Sequence, residues 1–296
     1  MDLPPLDRAA ALRDDGDGLT AAAARADALV LPLAGSQSLV GVGPRGVLRA
    51  QFLTPTMTNG ADLIWLGRLG DAPLFAADLA EPCPVTACEW LELRRGLPLL
   101  PAADFQLLAY ARALVHWHRT HRHCGACGAP TLSRRGGHER VCAACGLTAY
   151  PRTDPAVIVI VADPQRCLLG RQPQWDAGRY SAVAGFVEPG ESLEAAVARE
   201  VLEETGVTIR TPRYFAGQPW PFPTSLMLGF HAEPVDDTIR LDGRELEDAR
   251  WFTRADIVAG LTSGSLKLAT RQSISWRLLE SWFDRSGTPL AGIPGA

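Results

Sequence analysis

Apolar residues in this chain come in short runs cut by glycine and proline over the first third, and in longer periodic stretches beyond it. The runs LVLPLAG, GVLRAQFL and ADLIWLGRLG fall within residues 1–115 and read as short strands joined by turns. From about Ala103 to His118 the spacing changes. Phe105, Leu108, Arg112 and Val115 mark one face, and Leu107, Ala111 and Leu114 an adjacent apolar one, which predicts a helix. The β-branched run DPAVIVIVAD that follows predicts a buried strand. Strand and helix signals then alternate to about residue 285. The expected organisation is α+β: an N-terminal α/β region over 1–115, a small module over 121–150 and a larger domain over 151–285. No internal repeat or low-complexity linker is evident.

One periodic stretch is bounded at both ends. Leu193, Val197 and Val201 recur every four residues and predict a buried stripe. Ser192 stands at the N-cap position, Glu194 suits the positive helix end, and Gly206 lies where a left-handed C-cap belongs.

Composition narrows the classes. With 296 residues, 47% apolar and 21% charged, the chain is globular and neither disordered, collagen-like nor a disulfide miniprotein. Its net charge of -4 gives no general attraction to nucleic acid or anionic membranes, so a nucleotide ligand needs a local site. No stretch suits a bilayer span; the Ala-rich one from Leu19 to Gly35 is broken by Arg25, Asp27 and Pro32. The start, MDLPPLDRAA, lacks the basic end and apolar run of a signal peptide. The expectation is a cytoplasmic protein with no membrane partner.

Four of the seven cysteines form two pairs, Cys124/Cys127 and Cys142/Cys145, with fourteen residues between them. Each CxxC offers two thiolates from one turn, for which Gly125, Gly128 and Gly146 supply a permissive backbone. Four thiolates complete a tetrahedral zinc, leaving no open position, so the expected metal is structural. A redox dithiol needs only one pair, and disulfides suit a cytoplasmic chain badly. His116, His118, His121 and His123 are expected at a solvated helix end, and SRRGGHER between the pairs at a solvated hairpin tip. Cys83 and Cys88 lack metal spacing and are expected as packed or idle thiols.

Glu200, Glu203 and Glu204 lie within one helical patch, with Arg199 beside them. Such a cluster suits divalent cations, and oxygen ligands favour Mg2+ or Mn2+ on a pyrophosphate. A solvated acidic helix face fits these carboxylates equally well. The wider pattern separates the two. Gly185, five residues, Glu191, seven residues, then Arg199-Glu200-Val201-Leu202-Glu203-Glu204-Thr205-Gly206-Val207 fills every specified position of the Nudix box. The chain thus resembles the Nudix hydrolases, which cut a diphosphate linked to another moiety. The resemblance implies a mixed sheet between helices, with Glu200, Glu203 and Glu204 as metal-binding residues, Arg199 orienting them and Glu191 supporting the loop.

Downstream, Gln218-Pro219-Trp220-Pro221-Phe222-Pro223-Thr224-Ser225 reads as a proline-stiffened extended loop with two broad aromatic faces. After a Nudix box and a cysteine quartet, it resembles the signature of the NADH pyrophosphatases. That resemblance implies hydrolysis of NAD(H) to nicotinamide mononucleotide and AMP, removal of NAD caps from RNA, and a homodimer. It maps Phe186 and Tyr150 to stacking on the adenine, the latter from the partner subunit. Gln218, Trp220, Phe222 and Ser225 map to the dinucleotide pocket, and Glu245 to a further acidic residue at the metal site. Ser275 departs from the family, which tends to alanine there, and its hydroxyl is placed to alter base contacts. Rival readings are a Nudix hydrolase of ADP-ribose or dinucleoside polyphosphates, an isomerase on the same fold, and a non-enzymatic RNA-binding module. The intact glutamates speak against the last.

Overall fold

The computed structural model describes residues 3–43, 46–241 and 243–296. The chain forms two compact units: Met1–Arg152 with Pro221–Thr224, and Thr153–Trp220 with Ser225–Ala296.

The first unit contains strands β1 (Leu6–Asp7), β2 (Leu29–Ala34), β3 (Gln37–Val42), β4 (Leu48–Ala50), β5 (Leu63–Leu69), β6 (Ala72–Leu79) and β7 (Cys88–Glu92). Its helices are α1 (Gly16–Ala23), α2 (Leu93–Gly96) and α3 (Ala102–Thr120). The strands form one sheet in the order β1-β5-β6-β2-β3-β4, with β7 also on β3. Val30, Leu39, Trp65 and Phe75 lie in its core. Helix α3 buries Phe105, Leu108, Ala111, Leu114 and Val115 as its period predicts. It also buries Asp104, which pairs with Arg49 at 3.0 Å and accepts the Ala50 N–H at 2.8 Å.

Strands β8 (Thr131–Arg134), β9 (Glu139–Cys142) and β10 (Thr148–Ala149) make a small antiparallel sheet. Its tip is solvated at Ser133, Arg134 and Arg135, as its charge predicts, but packed at the two glycines that follow. Hypothetical Cβ atoms at Gly136 and Gly137 would meet Trp65 and Ile64 at 2.9 and 2.8 Å, so only glycine lets the turn approach. His118 Nε2 donates to the Gly137 carbonyl and His138 Nε2 to the Trp65 carbonyl, both at 2.8 Å. His118 is accordingly no solvated helix end. Burial lowers its pKa and drives that of His138 down to about 4.

The second unit holds β11 (Asp154–Ala162), β12 (Arg166–Arg171), β13 (Val183–Phe186), α4 (Leu193–Thr205), β14 (Ile209–Trp220), β15 (Ser225–Pro234), β16 (Asp248–Thr253), α5 (Arg254–Ser263) and α6 (Ile274–Phe283). The sheet runs β14-β15-β11-β12-β16, with β13 also on β11. The β11–β15 pair is parallel and the others are antiparallel. Alternation along β11 divides the core. Val157, Val159 and Val161 pack with Val197 and Val201 of α4. Ile158 and Ile160 join Ile257 and Leu261 of α5 and Leu278 and Leu279 of α6. Helices thus cover both faces of a mixed sheet. Each fully buried valine or isoleucine contributes roughly 1.5–3 kcal/mol.

A repeat that the sequence hides is visible in the topology. In the first unit β5-β6-β2-β3-β7 has the same pair orientations, with β2 parallel to β6 and the others antiparallel. Where the second unit carries α4, the first has only a short turn of helix at Pro55–Thr58.

Candidate active site

The loop and helix after β13 build the acidic site. Ser192 caps α4 by accepting the Ala195 N–H at 3.2 Å, and Gly206 closes it at φ 72°. Val197 and Val201 are fully buried, which turns the charged face of α4 toward β13. Gly185 of β13 lies under Glu200: a Cβ there would stand 1.9–2.1 Å from the Glu200 carboxyl atoms. A side chain at residue 185 would therefore displace the carboxylate.

Arg199 organises the surrounding acids. Its Nε and Nη2 donate to the two Glu191 oxygens at 2.7 and 3.0 Å. Nη1 donates to Glu200 at 2.9 Å and Glu203 at 3.1 Å, and Nη2 also reaches the Phe186 carbonyl at 2.9 Å. Glu191 in turn accepts the Glu188 N–H at 3.0 Å. The Arg199 fork and that N–H hold the Glu191 carboxyl down at about 2. Glu200 moves the opposite way: burial raises its pKa, and the charges of Glu245 and Glu203 add to the rise. A buried carboxylate facing two more carboxylates is a site that a cation would stabilise, and its hard oxygen donors suit a divalent ion. Glu203 and Glu245 are exposed, whereas Glu204 is buried. These carboxylates do not converge as tightly as the cysteines. Among the described residues the one cluster with metal-ligand spacing is Cys124, Cys127, Cys142 and Cys145, all sulfurs within 4.8 Å of one another.

The sulfur separations include 3.7 Å for Cys124–Cys145 and 3.4 Å for Cys127–Cys142. Tetrahedral zinc with Zn–S of about 2.3 Å requires about 3.8 Å, so the quartet fits zinc. Backbone N–H groups aimed at Cys124 and Cys142 favour their thiolates and bring Cys142 to about 6. Gly128 and Gly146 have φ of 75° and 74°; Gly125 does not share this conformation.

The remaining sequence-derived residues divide by unit. Tyr150 and Phe186 are 63% and 58% exposed, Tyr150 in the first unit and Phe186 in the second. The segment from Gln218 to Ser225 is a hairpin rather than an extended loop: Trp220 pairs with Ser225 across β14 and β15. Its prolines are tolerated because β14 is an edge strand. Gln218 Nε2 donates to the Gln272 carbonyl at 2.8 Å, and its Oε1 accepts the Ile274 N–H at 2.7 Å. The Gln218 amide therefore anchors the start of α6. Ser275 is buried, hydrogen-bonded to Ser181 at 2.8 Å, and accepts the Ala182 N–H at 3.3 Å.

Three family models cover the chain in order. Residues 27–117 match an NADH pyrophosphatase-like rudimentary NUDIX domain, 119–150 an NADH pyrophosphatase zinc ribbon domain, and 152–272 a NUDIX domain. A NAD-capped RNA hydrolase NudC of Pseudomonas syringae pv. syringae is 41% identical over 85% of this chain and 86% of its own length. This chain belongs to the NADH pyrophosphatase (NudC) family of Nudix hydrolases. The NAD-capped RNA hydrolase NudC of Stutzerimonas stutzeri is 43% identical over 78% of this chain and 81% of its own. The Deinococcus radiodurans protein of that name is 44% identical over 67% and 72%. A solved NUDIX hydrolase from Nitrosomonas europaea covers 58% of this chain and 94% of its own, at 22% identity and TM-score 0.46. Membership makes the chain a divalent-metal-dependent hydrolase with a structural zinc ribbon. Among the described residues no helix is long and apolar enough to cross a membrane.

The match over 27–117 accounts for the hidden repeat. The first unit keeps the strand order of a Nudix sheet without the box or its helix, and the box was the signal by which the sequence could be read.

Proposed function

We propose that this chain hydrolyses the pyrophosphate of NAD(H) to nicotinamide mononucleotide and AMP, and removes NAD caps from RNA 5′ ends. The observation that carries the reading is the ordered match of all three modules, joined to relatives above 40% identity that are named NAD-capped RNA hydrolases.

Glu200, Glu203, Glu204 and Glu245 would hold Mg2+ or Mn2+. When bound, the metal would supply positive charge against the pyrophosphate and lower the pKa of the attacking water, so that it gives up its proton more readily. The chain's own residues do the rest. Arg199 fixes the direction of Glu200 and Glu203 through one guanidinium, and Glu191 fixes Arg199. One of the four glutamates takes the proton of the attacking water. Water adds to one phosphorus, the bridging P–O bond breaks, and each product leaves with a terminal phosphate.

Tyr150 and Phe186 present large aromatic faces to solvent in a single chain. That suits stacking on the adenine from two subunits of a homodimer. Gln218, Trp220, Phe222, Ser225 and Ser275 belong to the dinucleotide pocket in this reading, Gln218 and Ser275 as its supports. Two cysteine pairs spaced for zinc rather than for disulfides suit a reducing compartment, the cytoplasm. The domains are taken as 1–115, 121–150 and 151–285.

The test is Glu204→Gln. Turnover of NADH should fall by roughly 100-fold with the circular dichroism spectrum unchanged. Wild-type turnover would remove the carboxylate helix from the reaction.

A further inference from the structure

We propose that Arg112 is a positioning residue: it fixes the Pro221–Thr224 turn, and with it the Phe222 ring, for binding of the dinucleotide. The proposal deepens the function given above and rests on it for the role of Phe222.

Arg112 stands on an otherwise apolar face of α3, in line with Phe105, Leu108 and Val115. The turn Pro221–Thr224 belongs to the same compact unit as α3, although the strands on either side of it belong to the other. Arg112 Nε donates to the Pro221 carbonyl at 3.0 Å, and Nη1 to the Ser36 carbonyl at 2.8 Å. Its guanidinium carbon lies 5.5 Å from the centroid of the Phe222 ring, and that of Arg94 lies 4.7 Å from it. Both distances are within cation–π range.

Arg112 pays for this position in hydration. It is half-buried, and burial is the main cause lowering its pKa. Among the described residues it forms no ion pair that would compensate. A guanidinium that only packed a helix against a sheet would be disfavoured there against leucine or methionine. What it gains is two backbone acceptors in separate segments and one ring face. Arg112 is thereby shaped to hold a turn poor in backbone donors. Pro219, Pro221 and Pro223 lack N–H donors, and Trp220–Ser225 is the last strand pair before the turn. Phe222, in its middle, is seated by two cations from α2 and α3.

The experiment joins hydrogen–deuterium exchange of the full-length protein with steady-state kinetics on NADH. Arg112→Ala should speed exchange in the peptide spanning residues 218–226 and leave the peptides of α4 unchanged. KM for NADH should rise roughly ten-fold while kcat holds. Arg112→Lys, which keeps the charge without the planar fork, should lie between the two. Phe222→Leu leaves α3 intact and serves if Arg112→Ala does not fold; it should raise KM similarly. Combined with Arg112→Ala it should add little. Unchanged exchange overturns the clamp. Faster exchange with unchanged KM overturns its role in binding, as does a parallel loss of kcat and melting temperature. A wild-type protein that ignores NADH would sink the proposed function, while the exchange data would still decide the clamp.

Discussion

Arg199 is the residue on which the acidic site turns. Its guanidinium meets Glu191, Glu200, Glu203 and the Phe186 carbonyl, tying the loop to both helix and strand. The Glu191 pKa of about 2 lies below the ordinary value of 4.5. A depressed carboxyl contributes stability above its unfolded pKa and loses it as pH falls through the folded one. The loop should therefore stay docked from neutral pH down to about pH 4.5 and release toward 2. The Glu191 carboxyl carbon, followed by NMR, should titrate with a midpoint near 2; a midpoint near 4.5 would mean the fork is not formed. Ser275 makes a different prediction. Its hydroxyl is bonded to Ser181 and the Ala182 N–H, and with those bonds made we expect packing rather than base contact. Ser275→Ala should cost about 1 kcal/mol in chemical denaturation and leave KM for NADH unchanged. An altered KM with unchanged stability would restore the specificity role that its departure from the family suggests.

At the scale of elements, legibility followed the kind of signal. Helix α4 could be read to its caps because Ser192, Gly206 and the Val197/Val201 stripe are local features. The Gln218–Ser225 segment could not. Its prolines suggest an extended loop, and only pairing with β15 makes it a hairpin. The ribbon tip is legible only in part for the same reason: Arg134 and Arg135 are exposed as their charge predicts, but nothing local shows that Gly136 and Gly137 bring the turn against Trp65 and Ile64. Asp104 carried no signal at all, since an acid in the first turn of a helix is ordinary and its partner Arg49 is 55 residues away. The zinc site was legible from spacing alone and gives the element-scale test. Metal analysis should find one zinc per chain. A strong chelator should remove it, expose four thiols to a thiol reagent and lower the melting temperature, since structural zinc is worth roughly 10–16 kcal/mol in zinc-finger peptides. Full stability without zinc would contradict a closed structural site.

For the whole molecule, the two units share one strand order, and one of them carries the box. The duplication was illegible because buried strands of Val, Leu and Ala preserve a pattern rather than a sequence. What remains distinct is chemistry: the carboxylate helix lies in the second unit, and the zinc ribbon, Tyr150 and the Phe222 turn lie in the first. The central claim is that this chain cuts NAD(H) at its pyrophosphate. The most direct measurement incubates the purified protein with NADH and Mg2+ or Mn2+, runs ADP-ribose in parallel, and separates the products by chromatography. The account predicts reduced nicotinamide mononucleotide and AMP, with NADH preferred. Cleavage of ADP-ribose with NADH left intact would contradict it.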